Sequence, residues 1–243
     1  MRSILFVGAL LAALPSHGIL IRADRDDAEY IELATRYPAA IEIAPGIEGV
    51  LIAPRWMLTS ARSATLLLAT RPPPPIEIAG KRNAIVQTFL HPAWKQGAEA
   101  DLALLLLREA VPDIEPVAIY ADRGEIDEVV FIVGHGETGN LGDAARRTDG
   151  RKRAAINTVD RVLAATLGLR LKAADSASDL QGGPASGERG APALMESMGK
   201  THVVGIFSAT DGEWQVFARV SSHAQWIADT MFRAGIGEAA KVK

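Results

Sequence analysis

The chain of 243 residues contains no cysteine. That excludes thiol catalysis, cysteine-ligated zinc, iron–sulfur clusters and disulfide staples. Histidine is sparse and scattered (His17, His91, His135, His202, His223), and no two stand at helical ligand spacing, so a metal centre is not expected. Charge of one sign is also lacking. The formal net charge is −3, with no basic excess to suit a phosphate backbone and no block of like charges to form a disordered tail. No stretch reaches the roughly 18–20 consecutive apolar residues that a membrane-spanning helix needs. Nothing in the composition implies a cofactor, a nucleic-acid partner or a membrane partner. A chain of this length can bury a core without staples.

The N-terminus is what remains most readable. Met1-Arg2-Ser3 is a short basic start, Ile4 to Leu14 is apolar, and Pro15-Ser16-His17-Gly18 supplies small residues where a signal peptidase would inspect. Residues 1–18 read as a secretory signal peptide, which predicts a secreted or periplasmic protein free of the membrane once the signal is removed. A cysteine-free exported chain of this kind looks bacterial.

From Ala39 onward the pattern is β. Short apolar runs bounded by Gly, Pro and polar turns recur at Ile41–Ile43, Gly49–Ile52, Trp56–Ser60, Ala84–Leu90, Leu102–Leu107, Val129–Gly134, Ala154–Val159, Leu169–Ala173, Ala193–Met195, Val203–Ser208 and Val216–Val220. Many short strands at this spacing predict an all-β sandwich or barrel pair. One short helix is expected between Asp24 and Arg36. Pro72 to Pro75 reads as a stiff exposed loop, and Gly139 to Arg153 as a mobile one. The crossover between two halves is expected near Pro112 to Gly124. A longer helix is expected from Ser222 to Ala234, where Ala224, Ile227, Met231 and Phe232 share a face and Gly235 ends it. Residues 236–243 form a tail.

Four segments, in order, carry a family resemblance. Gly49-Val50-Leu51-Ile52-Ala53-Pro54-Arg55-Trp56-Met57-Leu58-Thr59-Ser60-Ala61-Arg62 is followed by Asp101-Leu102-Ala103-Leu104-Leu105. Then come Val133-Gly134-His135-Gly136 and Gly187-Glu188-Arg189-Gly190-Ala191-Pro192-Ala193-Leu194. Together they resemble the trypsin-like serine proteases. Val203 to Ser208, and Phe217 to Val220 followed by Trp226-Ile227, agree with the same family. The resemblance implies two packed six-stranded antiparallel β-barrels over residues 19–235, with a C-terminal α-helix. It places Arg62 at the catalytic histidine, Asp101 at the catalytic aspartate and Arg189 at the nucleophile. Gln181-Gly182-Gly183-Pro184 offers a rival register for the nucleophile loop, but it lacks the matching residues before it and puts Gln181, not serine, at the key position.

Acyl transfer by such a constellation needs a hydroxyl nucleophile, an imidazole base and an orienting carboxylate. Arginine stays protonated and can be neither base nor nucleophile. Losing one key member of such a set costs on the order of a millionfold in turnover. The expectation is therefore a non-cleaving homologue that binds an unidentified protein or peptide as decoy, scaffold or regulator. Rival readings are an exported serine-type hydrolase acting through other residues, and a drifting paralogue without a ligand. Ser60, Ser63 and Ser186 lie near the motifs, but none has a histidine beside it in the motif pattern. His91 and His135 read as ordinary core or surface histidines.

The substituted site carries further expectations. Asp101, without its imidazole, is expected to form an ion pair with Arg62, with Ser208 completing the cluster. Arg189, with the backbone N–H groups of Gly187 and Arg189, would suit an anion. Gly183 stands at the base of the specificity pocket, so no carboxylate waits there for a basic side chain. If cleavage follows Gly18, the freed amine of Ile19 would pair with Glu188, as the resemblance implies.

Overall fold

A computed structural model describes residues 19–141, 147–172, 178–185 and 188–241. The expected signal 1–18 lies outside the described residues, as do Gly187 and the centre of the Gly139–Arg153 loop. The chain is mostly β with one long C-terminal helix, and its main sheet curls into a half-barrel. A five-stranded sheet in the first half has the order Ala40–Ala44, Ile47–Ala53, Trp56–Thr59, Ala103–Leu107, Ile85–Leu90. The larger sheet runs Arg153–Thr158, Val129–Gly134, Pro192–Ser197, Lys200–Asp211, Trp214–Arg219, Thr166–Arg170, Arg161–Val162. The short strand Ala118–Ile119 pairs in parallel with Lys200–Asp211, so the segment expected to cross between halves does so. Two apolar clusters form the core, the first reaching from the five-stranded sheet into the larger one through Val133, Leu194 and Ile206. The first is centred on Val50, Leu58, Leu104 and Leu105, the other on Ile132, Leu169, Val204 and Phe217. Among the described residues no helix is long and apolar enough to cross a membrane.

Helix α1 (Asp27–Ala34) starts in a capping box. The Asp26 carboxylate accepts from Ala28 N–H, and Glu29 reaches back to Asp26 N–H. Helix α2 (Ala61–Ala69) is not foreseen by the strand pattern. Ser60 caps it by accepting from Ser63 N–H, and Ala61, Ala64 and Leu67 turn one face to the core. Helix α3 (Ala224–Lys241) follows a 3-10 turn (Val220–His223) and runs past Gly235, where its end was expected. A single glycine in a helix costs only about 1 kcal/mol, which a continuing run of good helix formers offsets.

The Gly139–Arg153 segment is not loose at its far end. Arg153 is 1% exposed, and its guanidinium holds Asp27 at 2.6 and 2.7 Å and Asp149 at 2.8 and 2.6 Å. Asp149 is pulled to about 2 chiefly by its hydrogen bond from Arg153. The triad ties the first turn of α1 to the edge of the larger sheet.

Candidate functional site

Asp101 sits at the end of the 91–101 connection and is wholly buried. One carboxylate oxygen accepts the backbone N–H of Arg62 at 2.9 Å, and the other accepts Ser208 Oγ at 2.5 Å. Burial pushes its pKa up, and the bonds from Ser208 and Arg62 N–H pull against that. The expected cluster of Arg62, Asp101 and Ser208 therefore exists, but not through the expected ion pair. The Arg62 guanidinium donates instead to the carbonyl of Gln96 at 2.6 Å. The reason is local. Arg62 lies in the first turn of α2, where its backbone N–H is one of the free donors that a carboxylate satisfies well. The aspartate caps the helix and leaves the guanidinium to the rim.

Arg189 lies beside that turn. Its carbonyl accepts Glu48 N–H and Ser63 Oγ, each at 3.1 Å, so the backbone of the loop is fixed against both α2 and the first sheet. Its partly buried side chain has no acidic partner within 4 Å among the described residues. Gly190 is at φ +92°, and a Cβ there would strike the carbonyl of Glu48 and Oγ1 of Thr59. The glycine after Arg189 is thus required by both its backbone conformation and the close approach.

Gly183 is closed over. A Cβ on it would run into the side-chain amide of Gln215, which is buried and donates to the carbonyl of Pro184 at 3.2 Å. Sequence reasoning missed Gln215, because a polar residue in the strand Trp214–Arg219 carries no sign of facing inward. Gln215 fills the space against the residue expected at the pocket base.

Behind the loop lies an acidic chamber, also unforeseen. Glu188 is fully buried, and neither carboxylate oxygen has a hydrogen-bonding partner among the described residues. Gly134 makes room for it, since a Cβ at that position would collide with the carboxylate. Glu48, equally buried, accepts His135 N–H at 2.9 Å and faces His135 Nδ1 at 3.1 Å. Burial first, then the charges of Glu48 and Glu42, push the pKa of Glu188 well up. Ile19 lies in the strand Ile19–Ile21, between Gly182–Pro184 and Glu137–Asn140, and its carbonyl accepts Thr138 Oγ1 at 2.7 Å. Ile19 stands opposite Pro184 in the neighbouring strand.

Scanned against protein-family models, the chain matches none, and a search of curated proteins finds no match. The remaining chemistry must be read from the side chains. The described serine hydroxyls engage Ser63, Asp101, Glu125 and backbone carbonyls; none meets an imidazole. His91 meets His223, and His135 meets Glu48. No group of three potential metal-ligating side chains stands together among the described residues.

Proposed function

We propose that the chain is an exported, non-cleaving relative of the trypsin-like serine proteases that acts by binding. In this reading the two β halves are the family's two barrels. The observation that carries it is the environment of Asp101. Its two oxygens are spent on Arg62 N–H and Ser208 Oγ, and among the described residues no imidazole hydrogen-bonds to them. Arg62 and Arg189 stand where a base and a nucleophile would be, and neither can act as one. Gln215 packs against Gly183, the residue that this reading puts at the pocket base.

The ligand of such a cleft is an anion, a carboxylate on a protein or peptide being the natural class. Arg189 offers a guanidinium without an acidic partner, and that fork suits bidentate carboxylate binding. Glu188 belongs to the same reading. A buried carboxyl with no hydrogen-bonding partner among the described residues suits the amine that removal of residues 1–18 would free.

A fluorophosphonate probe tests the first half. The intact protein is expected to take no label, and labelling at any serine would restore the hydrolase reading. Calorimetric titration with a short acidic peptide tests the second. Affinity is expected to fall about tenfold or more on Arg189→Ala, the scale of a charge-assisted pair. Equal affinity in both proteins would remove Arg189 from the site.

A further inference from the structure

His91 and His223 lie far apart in sequence and meet where the C-terminal helix docks. His91 follows the strand Ile85–Leu90, and His223 ends the 3-10 turn before α3. His91 Nε2 is 3.1 Å from His223 Nδ1, with the rings edge-on at 4.6 Å between centroids. The Trp226 ring, on α3, covers His91 at 4.5 Å.

The hydrogen positions follow from one contact. Ala93 N–H points at His91 Nδ1 at 3.2 Å. A backbone N–H can only donate, so His91 Nδ1 carries a lone pair and the ring hydrogen sits on Nε2. His91 Nε2–H therefore donates to His223 Nδ1, and His223 holds its hydrogen on Nε2. That last nitrogen is buried and has no partner among the described residues. Every nitrogen in the pair thus has one permitted state. A proton added to His91 would set N–H against Ala93 N–H. A proton added to His223 would set N–H against His91 Nε2–H. Neither cation fits without the pair opening.

Among the described residues no carboxylate hydrogen-bonds to either ring. Burial holds both imidazoles below their ordinary value, His91 down to about 4 with the His223 ring contributing. The charged groups on the surrounding elements are otherwise engaged or exposed. Glu125 is taken by Arg219 and Ser221, Asp229 by Gln225 and Arg233, and Asp101 by Arg62 N–H and Ser208. Lys95 and Glu99 are exposed on the connection that follows His91.

We infer that the His91–His223 pair is an acid-released latch that seats the C-terminal helix on the first β half. The sign follows from linkage. Imidazoles held neutral in the folded state and free to protonate once released favour release as pH falls from about 6.5 toward 4. The 91–101 connection also carries Gln96 and Asp101, so the latch and the cleft share one segment of chain.

Hydrogen exchange on the full chain tests this. Corrected for intrinsic rates and referenced to the strand Ala103–Leu107, exchange in α3 is expected to speed up about tenfold between pH 7.5 and 4.5. In the double variant His91→Phe/His223→Phe, which keeps both rings and leaves neither able to take a proton, the change is expected to stay under about twofold. Equal protection of α3 at both pH values in the natural chain would overturn the latch, as would the same acid loss in the double variant. Should that variant not fold, the imidazole C2–H resonances of the natural chain decide. Both are expected to remain neutral below pH 6, and an ordinary titration near 6.5 would end the proposal.

Discussion

Glu125 and Glu188 are both fully buried carboxyls, and their surroundings could hardly differ more. Glu125 accepts two hydrogen bonds from Arg219, at 2.9 and 2.7 Å, and one from Ser221 Oγ at 2.5 Å. Glu188 accepts none from the described residues. Burial raises the pKa of each. At Glu125 the bonds from Arg219 and Ser221 outweigh it and leave the group lowered. At Glu188 the neighbouring charges of Glu48 and Glu42 add to it. The first is a finished structural ion pair. The second is a buried carboxyl for which no described residue supplies a hydrogen bond. Buried polar groups without partners are rare in folded proteins, so Glu188 calls for a partner that Glu125 does not.

The contrast breaks most sharply at Arg219. Arg219→Met strands Glu125 in the core and is expected to cost about 3–5 kcal/mol in denaturant unfolding. Adding Glu125→Leu should recover much of that loss, because an apolar pair of similar volume leaves no unpaired charge. A loss under about 1 kcal/mol for Arg219→Met would mean that Glu125 is no better satisfied than Glu188.

At Glu188 the sign reverses with pH. A carboxyl whose folded pKa is raised binds more protons folded than unfolded, so its contribution is present in acid and lost as pH rises through the folded value. In the full chain, Glu188→Gln is therefore expected to be near neutral at pH 4 and stabilising at pH 8. Glu125 runs the other way: its lowered pKa gives stability above the ordinary carboxylate range that is lost as pH falls. A chain that begins at Ile19 sharpens the test. If its amine reaches Glu188, the substitution becomes destabilising at pH 8, and thermal melts of the two chain lengths read the difference. Identical behaviour in both lengths would remove Ile19 as the partner.

These contrasts show what was legible beforehand. Strands such as Ala103–Leu107 and Val129–Gly134 were visible as apolar runs, because burial on a sheet face is written into composition. Helix α2 was not, because Ala61 to Ala69 continues the strand's apolar pattern and only the Ser60 cap separates them. The places of Arg62, Asp101 and Ser208 near one another were legible through motif order. The partner of the guanidinium was not, since a helix N-terminus competes for the carboxylate and spacing does not reveal it. Gln215, Glu48 and the His91–His223 contact were invisible for one reason. Each depends on a long-range approach between strands or helix ends, and no local pattern records it.

The smallest effect belongs to another buried carboxyl, Asp101, whose surroundings stand between those of Glu125 and Glu188. It has two partners, one of them a neutral hydroxyl, and its pKa is still raised by burial. Ser208→Ala removes the bond to Oδ2 and is expected to cost about 1–2 kcal/mol at pH 8, the scale of a hydrogen bond to a charged group. Because Ser208 pulls the pKa down, its loss should push Asp101 further up. The penalty should then shrink in acid, where the carboxyl is protonated in both states. Asp101→Asn should itself be mild, since the amide oxygen can still accept from Arg62 N–H. In the double variant the cost of Ser208→Ala should lose its pH dependence. A penalty for Ser208→Ala that stays constant from pH 4 to pH 8 in the natural background would show that Asp101 is already neutral. It would then belong with Glu188 rather than between the two.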